Sequence, residues 1–522
     1  MKRFISIFSV LCALAVSISF VSCEESEDSP TLHEGLALTG CSIQPGETVD
    51  AVRVSKIELE YAVSVKVNTE SAVTLNGKKV SVIRGSKYNV VEISVDLENN
   101  QDYHLVVPAG TVVNLGDPSS IAPEFTLDFN THKPVVEDTE ISANTMVEAL
   151  GFGWNLGNHF DSFDGNNAAG NYRITWSSIP YWDGVRPKQE LYGNLAANGI
   201  KTVRICVTWG PYQNMADGNY TIDAAYMKEV QQNVDWALKA GLNVLVNTHH
   251  DEYWQDIISA AKDNQLNTQI KARIVATWSQ IAEYYKDYGQ KLLFETFNEL
   301  HDDAWGWAGG FNYAPVFNLM DEWNQVAVDA IRATGGNNST RWIGVPGFCA
   351  SPTFTAGDKH LIKIPNDPAN HIMVAVHTYD PFNFCTEGTV QRWGHTFRGN
   401  DNDENAVKNL FAKLKKQFID KGIPCYFGEF GCETRLEAKD EPYRTYFMEY
   451  LCRTSYFSGI PVMLWDNDNN SQGTNGGGEC FWYVSHEDGT VHTPVLLSTM
   501  VKAATSTDAS YTIQSIYDNA PN

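Results

Sequence analysis

Two folds follow one another in this sequence: a small all-β sandwich over residues 36–130, then an α/β chain of (β/α)8 barrel type over residues 141–505. Three observations predict them. Up to residue 130 apolar and polar residues alternate at period 2, with turn signals between the runs. After residue 141 short, continuously apolar runs alternate with segments of helical period, as parallel strands buried on both faces and their crossover helices should. The change of period falls on Thr131-His132-Lys133-Pro134-Val135-Val136-Glu137-Asp138, so residues 131–140 read as a linker.

Ahead of both folds, Lys2 and Arg3 precede an apolar run from Phe4 to Val21, the pattern of an export signal over residues 1–22. Phe20-Val21-Ser22-Cys23 resembles a bacterial lipobox, which would leave Cys23 as a lipidated N-terminus. Residues 23–35 open with Glu24-Glu25-Ser26-Glu27-Asp28 and read as a flexible, acidic tether. The tether resembles the acidic tag of Bacteroidetes surface lipoproteins, so the outer membrane's outer face is expected, with its periplasmic face as the alternative.

In the sandwich the alternating runs are Ala51–Val54, Ala62–Val67, Val80–Ile83, Val91–Val95 and Tyr103–Val107, with a hairpin signal at Asn76-Gly77. The phrase from Tyr103 to Val112 resembles the last hairpin of bacterial immunoglobulin-like modules. It shows no row of exposed aromatics, so a spacer is expected rather than a sugar-binding module. In the barrel the strands are expected at Phe152–Leu156, Thr202–Trp209, Asn243–His249, Leu292–Glu299, Arg341–Pro346, His371–Tyr379, Cys425–Phe430 and Val462–Trp465. Helical patterns lie at Ala224–Ala240, Thr268–Tyr288, Val316–Ala333, Glu404–Lys421 and Pro442–Phe457. Residues 506–522 read as a C-terminal tail.

Composition narrows the partners. With 63 acidic residues against 38 basic ones the net charge is −25, a field that repels nucleic-acid phosphates. Fourteen Trp, 23 Tyr and 24 Phe suit a protein that grips a neutral ligand. The cysteines beyond Cys23 are scattered without C-x-x-C spacing, so they read as small buried side chains; export permits a disulfide, but the pairing is not legible.

Functional residues of such barrels gather where the strands end. Here the ends read Trp154-Asn155-Leu156-Gly157-Asn158, Val203-Arg204-Ile205, Thr248-His249-His250-Asp251, Phe297-Asn298-Glu299, His377-Thr378-Tyr379, Gly428-Glu429-Phe430-Gly431 and Leu464-Trp465-Asp466-Asn467. Glu299 and Glu429 end the fourth and seventh strands at one barrel mouth. A pair of carboxylates, one protonated to donate and one ionised to attack, is what glycoside hydrolysis needs.

These strand-end motifs, in this order, resemble glycoside hydrolase family 5 across residues 141–505, and most of all its endoglucanase and xyloglucanase members. The resemblance implies Glu299 as acid/base and Glu429 as nucleophile. It further implies Asn298 on the sugar 2-hydroxyl, Arg204 holding the nucleophile ionised, and Asn158, His249 or His250, His377 and Tyr379 lining the reacting subsite over Trp465. The implied reaction is endo-acting double displacement on a β-1,4-linked glucan, cellulose-like, mixed-linkage or xyloglucan, by a monomer needing no metal or cofactor. A β-mannanase or other β-glycanase of the family is the alternative, and a catalytically silent glycan binder a further one. Two departures weaken the substrate assignment: Leu300 follows the acid/base where the family usually has proline, and Asp251 follows the histidines where the endoglucanase and xyloglucanase members often have glutamate.

His249 and His250 also raise a zinc-hydrolase reading. Adjacent strand residues face opposite ways, so both reach the mouth only if the strand breaks there. Trp176, Trp182, Trp209, Trp254, Trp305, Trp307, Trp393 and Trp482 are candidates for sugar stacking, about half of them expected in a glycan cleft and the rest in the core. Residues 469–478 read as a loop and subsite wall.

Overall fold

The computed structural model describes residues 36–47, 49, 54–69, 71–98, 101–131, 143–163, 181–214, 218–251, 256–470 and 480–522. The expected signal, Cys23, the tether, Ala51–Arg53, Trp176, Trp254 and residues 471–478 of the expected loop lie outside them. The chain divides into two compact units, Met1–Pro134 and Val135–Asn522.

The first unit is all β. One four-stranded antiparallel sheet runs in the order Leu38–Cys41, Lys56–Tyr61, Val90–Ser94, Val82–Arg84; a second runs Phe125–Asn130, Asp102–Val107, Thr74–Leu75, Lys78–Lys79. Val65–Val67 pairs with Val112–Asn114. Ile57, Leu59, Val91, Ile93, Leu105 and Leu127 share one core. The Asn76-Gly77 signal is met by a hairpin in which both residues have positive φ, 49° and 76°, the requirement of the tight turn whose twist matches the strands. Strands that escaped the sequence reading include Lys56–Tyr61, Phe125–Asn130 and Leu38–Cys41. In the first, Lys56, Glu58 and Glu60 point outward and dilute the apolar signal of the buried Ile57, Leu59 and Tyr61.

The second unit is a closed barrel of eight parallel strands: Phe152–Leu156, Thr202–Ile205, Asn243–Asn247, Leu292–Glu295, Ile343–Pro346, Ile372–Thr378, Cys425–Phe430 and Val462–Leu464. All eight expected strands are present, and the last closes on the first through Phe152 opposite Val462. The second, third and fourth stop four, two and four residues short of their expected ends. At the mouth the strands splay and side chains replace the ladder: the Val207 amide donates to Asn247 Oδ1 rather than to a neighbouring strand.

Helices cover the barrel where the periodicity placed them, at Ala224–Lys239, Asn264–Tyr285, Ala314–Ala333, Asn402–Gln417 and Glu441–Ser458. Asp223 and Asp263 cap the first two by accepting backbone N–H groups of the first turn. Helices Gln189–Ala197 and Pro494–Thr505 were not expected. Residues 506–522 are no free tail. They include the helix Ile513–Tyr517 and pack back on the barrel, with Arg453 Nε donating to the Tyr511 carbonyl at 2.7 Å and Tyr517 stacked on His395 at 3.9 Å.

Inside the barrel the filling is layered. Leu245, Leu293, Met373, Ala375, Tyr426 and Met463 form an apolar plug, with Trp342 and with Met146 and Leu150 of the helix Ala143–Leu150, which precedes the first barrel strand, in the same cluster. Toward the strands' C-terminal ends the filling turns polar: Asn155, Arg204, Asn247 and Glu295 are all fully buried. Such a layer persists only if its groups satisfy one another.

Candidate active site

Arg204 is the centre of that polar layer. Its guanidinium donates to Glu295 Oε1 at 2.6 Å, to Asn155 Oδ1 at 2.9 Å, to Asn298 Oδ1 at 2.7 Å and to Glu429 Oε1 at 2.7 Å. Glu295 in turn accepts from Asn247 at 3.1 Å and from the Tyr426 hydroxyl at 2.6 Å. A buried guanidinium needs such partners on every edge, and its planar fork supplies them in fixed directions. Arg204 thus aims Asn298 and Glu429 at the mouth from below.

Glu429 is 5% exposed and also accepts the Tyr379 hydroxyl on Oε2 at 2.8 Å. Burial alone would raise its pKa, but the charges of His377 and Arg204 and the Tyr379 and Arg204 hydrogen bonds outweigh it and hold the carboxyl below the ordinary glutamate value. Glu299 is joined to His377 Nδ1 at 2.6 Å, and the same Nδ1 lies 3.7 Å from Glu429 Oε2. Burial lowers the His377 pKa, yet the two carboxylates more than reverse this and raise it. Oxygens of Glu299 and Glu429 lie within 4.8 Å of one another, with His377 in the same triplet. His377 fits there because residue 428 is glycine: a Cβ at that position would meet His377 Nε2 at 2.8 Å.

The remaining expected residues fall around this pair. The Trp465 indole lies nearly parallel to the His249 ring, 10° at 5.9 Å. His249 Nε2 is 4.0 Å from Glu429 Oε1, while Nδ1 meets Asn247 at 3.1 Å. Burial, followed by the charges of His250, Arg204 and His377, pushes the His249 pKa well down. His250, its side chain 35% exposed, faces Trp182 and Phe163. Asn158 takes a left-handed backbone, φ 58°, and its carbonyl accepts from Ser162 Oγ and from the Asp183 amide; it shapes the loop beside the mouth.

Sequence reasoning missed Glu295, Asn155 and Asp161. Glu295 carried a legible signal, a lone acid inside the apolar run Leu292-Leu293-Phe294. Asp161 is fully buried near His249 and His250, and burial raises its pKa to about 7. A further buried group ties the rim together. His486 Nδ1 lies 3.0 Å from Asp183, which also binds His159 at 2.9 Å, and His486 Nε2 faces Asp466 at 3.7 Å.

Of the candidate tryptophans, Trp209 and Trp393 are core residues, fully buried. Trp182, Trp305 and Trp307 are 45%, 44% and 64% exposed. Trp182 lies 5.8 Å from the His250 ring, and Trp305 stacks at 3.7 Å on His301, two residues beyond Glu299. Trp482 is half-buried and stacked on His492.

Comparison with known proteins gives the geometry a context. A family profile described as cellulase (glycosyl hydrolase family 5) matches residues 162–471, more than half of the chain. Endoglucanase A of Clostridium longisporum is 30% identical over 332 residues; the match takes in 63% of this chain and 60% of that protein, so less than two thirds of its length is spanned. Among solved structures, a GH5-4 broad specificity endoglucanase from Bacteroides salanitronis is 35% identical with a TM-score of 0.63, covering 72% of this chain and 99% of that one. A GH5-4 broad specificity endoglucanase from Ruminococcus champanellensis with bound cellotriose is 26% identical with a TM-score of 0.62, covering 70% and 100%.

Proposed function

The chain belongs to glycosyl hydrolase family 5, the cellulase family, and is a glycoside hydrolase; on that premise we propose that it is an endo-acting, retaining enzyme that cuts β-1,4-linked glucan backbones. The observation that carries this reading is that one oxygen of Glu299 and one of Glu429 come within 4.8 Å of each other, with His377 Nδ1 at 2.6 and 3.7 Å from the pair, too close for a water-wide gap. Retaining enzymes hold their pair roughly 5–5.5 Å apart, whereas inverting enzymes leave about 6.5–9.5 Å for a water.

In this reading Glu429 attacks the anomeric carbon, and the environment suits a nucleophile that is ionised before substrate arrives. Glu299 gives its proton to the departing oxygen; the 2.6 Å bond to His377 Nδ1 keeps a proton within reach of that carboxyl. Glu299 then acts as base toward the water that releases the glycosyl-enzyme. Asn298, bonded to Arg204, would hold the sugar 2-hydroxyl, and Trp465 would support the ring. Exposed Trp182 and Trp305 extend aromatic surface beyond the carboxylates, which suits a long chain bound along a cleft. The broad-specificity neighbours favour a backbone preference over a single polymer. Carboxymethylcellulose, mixed-linkage glucan, xyloglucan, glucomannan and xylan offered in parallel would rank the backbones, with the glucans cut fastest.

The mechanism is tested by the first product. Two displacements return the β configuration, so proton NMR before mutarotation should show a β-anomeric reducing end. An α-anomeric first product would mean direct attack by water and would remove Glu429 from its role. We further propose that the protein is a surface lipoprotein anchored through Cys23, with an immunoglobulin-like spacer at residues 36–130. The support is the lipobox-like sequence and the acidic tether. Cys23→Ala should move the protein from the membrane fraction to the medium; a wild-type chain already found in the medium refutes the anchor.

A further inference from the structure

The third barrel strand ends at Asn247, and past that break His249 and His250 both turn inward. Their Nε2 atoms point to one oxygen, Asp161 Oδ2, at 4.0 and 3.8 Å, with the two rings standing at 86° to each other. The three donor atoms lie within 4.8 Å of one another. Asp161 is fully buried, and neither carboxylate oxygen has a hydrogen-bond partner among the described residues. The backbone amides of Asn158 and of Asp161 itself are near it but outside hydrogen-bond geometry. A carboxyl so placed calls for a proton or a cation between it and the imidazoles.

The donor set decides which cation fits. Two neutral imidazoles and one carboxylate match borderline divalent ions, with zinc-to-ligand distances of about 2.0–2.2 Å, and not calcium or magnesium, which take oxygen donors. A second triplet, Glu299, His377 and Glu429, is as compact, but its donors are already engaged: both Glu429 oxygens accept hydrogen bonds, from Arg204 and Tyr379, and Glu299 is joined to His377.

We propose that Asp161, His249 and His250 form a binding site for a borderline divalent cation such as Zn2+, and that filling it reversibly inhibits hydrolysis. His250 is the exposed member and gives the ion its way in. An ion held on His249 Nε2 would neighbour Glu429 Oε1, which is 4.0 Å from that nitrogen, and would draw on the negative charge needed for attack. The inhibition rests on Glu429 as nucleophile; the binding does not.

The test uses the intact chain, stripped with a chelator and dialysed against Zn2+, with turnover of soluble glucan followed in parallel. The wild type should take up Zn2+ and lose activity, and chelator should restore it. Asp161→Asn and His250→Asn should each weaken uptake at least ~10-fold, while Glu299→Gln binds as wild type. Circular dichroism checks the fold of each variant, and His250, being partly exposed, keeps the test open if Asp161→Asn does not fold. A wild type that binds no Zn2+, variants that bind it unchanged, or binding lost in Glu299→Gln overturns the site. Zn2+ bound at full turnover overturns the inhibition alone. A chain without hydrolase activity that still binds Zn2+ through these residues refutes the catalytic reading and leaves the site standing.

Discussion

Replacing Tyr379 by phenylalanine removes one oxygen and leaves the ring, so it isolates a single hydrogen bond to Glu429. That bond is 2.8 Å long and its acceptor is a buried carboxylate. Hydrogen bonds to charged groups contribute about 1.5–3 kcal/mol, and one pKa unit corresponds to about 1.4 kcal/mol, so the Glu429 pKa should rise by roughly one to two units. As the proposed nucleophile, Glu429 must be ionised to attack. The acid limb of kcat/KM against pH should therefore move up by about that amount, with most of the activity regained on the alkaline side. Arg204 would be a poorer probe, because its removal leaves buried carboxylates uncompensated, at a cost of about 3–5 kcal/mol. The assay is reducing-end release from a soluble glucan at fixed ionic strength. An acid limb that stays in place, or moves to lower pH, would show that Tyr379 does not help to keep Glu429 ionised and would refute the reasoning.

Three further expectations concern the rim, the cleft and the domains. Burial alone would lower the His486 pKa, but Asp183 and Asp466 raise it to about 10; its contribution to stability is complete below about 6.5 and is lost as pH rises through about 10. The thermal midpoint of His486→Asn should thus fall less than that of wild type between pH 7 and 10, and equal slopes would show that this histidine is not charged. Trp182→Ala and Trp305→Ala should each raise KM for soluble glucan about 2- to 10-fold with kcat nearly unchanged, as lost uniform binding; a fall in kcat alone would place the indole at the reacting ring instead. A chain starting at residue 137 should fold and hydrolyse glucan, because the barrel has its own core and all the proposed catalytic groups; failure to fold would make the first unit a necessary partner.

The barrel was legible because its strands are apolar on both faces and its helices amphipathic, two periods that a sequence cannot carry at once. Each proposed contact of the Glu299 and Glu429 pair was legible for another reason: polar residues that end apolar strands have no packing explanation. What escaped had a physical cause in each case. Glu295 and Asn155 serve Arg204 from inside the barrel, and only the closed sheet brings residues so distant in sequence to one guanidinium. Strand alternation would set His249 and His250 on opposite faces, but the strand stops two residues earlier, so both reach Asp161, which carries no sequence signal of its own. Strand ends were overrun for the same reason, since the apolar text continues where the hydrogen-bond ladder does not.

The apolar plug under the polar layer has a consequence for what competes with water. Met146 and Leu150 join that plug, so among the described residues the filling on the strands' N-terminal side is apolar, and the glycosyl-enzyme of the proposed mechanism should be reached through the mouth. If the reaction is the proposed double displacement, the departing half of the glucan leaves by that route after the first step, and its place is taken by water or by another sugar hydroxyl. The exposed indoles of Trp182 and Trp305 offer apolar faces on which a sugar ring stacks. At high oligosaccharide concentration the enzyme should therefore make glycosidic bonds as well as break them, and chromatography should reveal products longer than the substrate supplied.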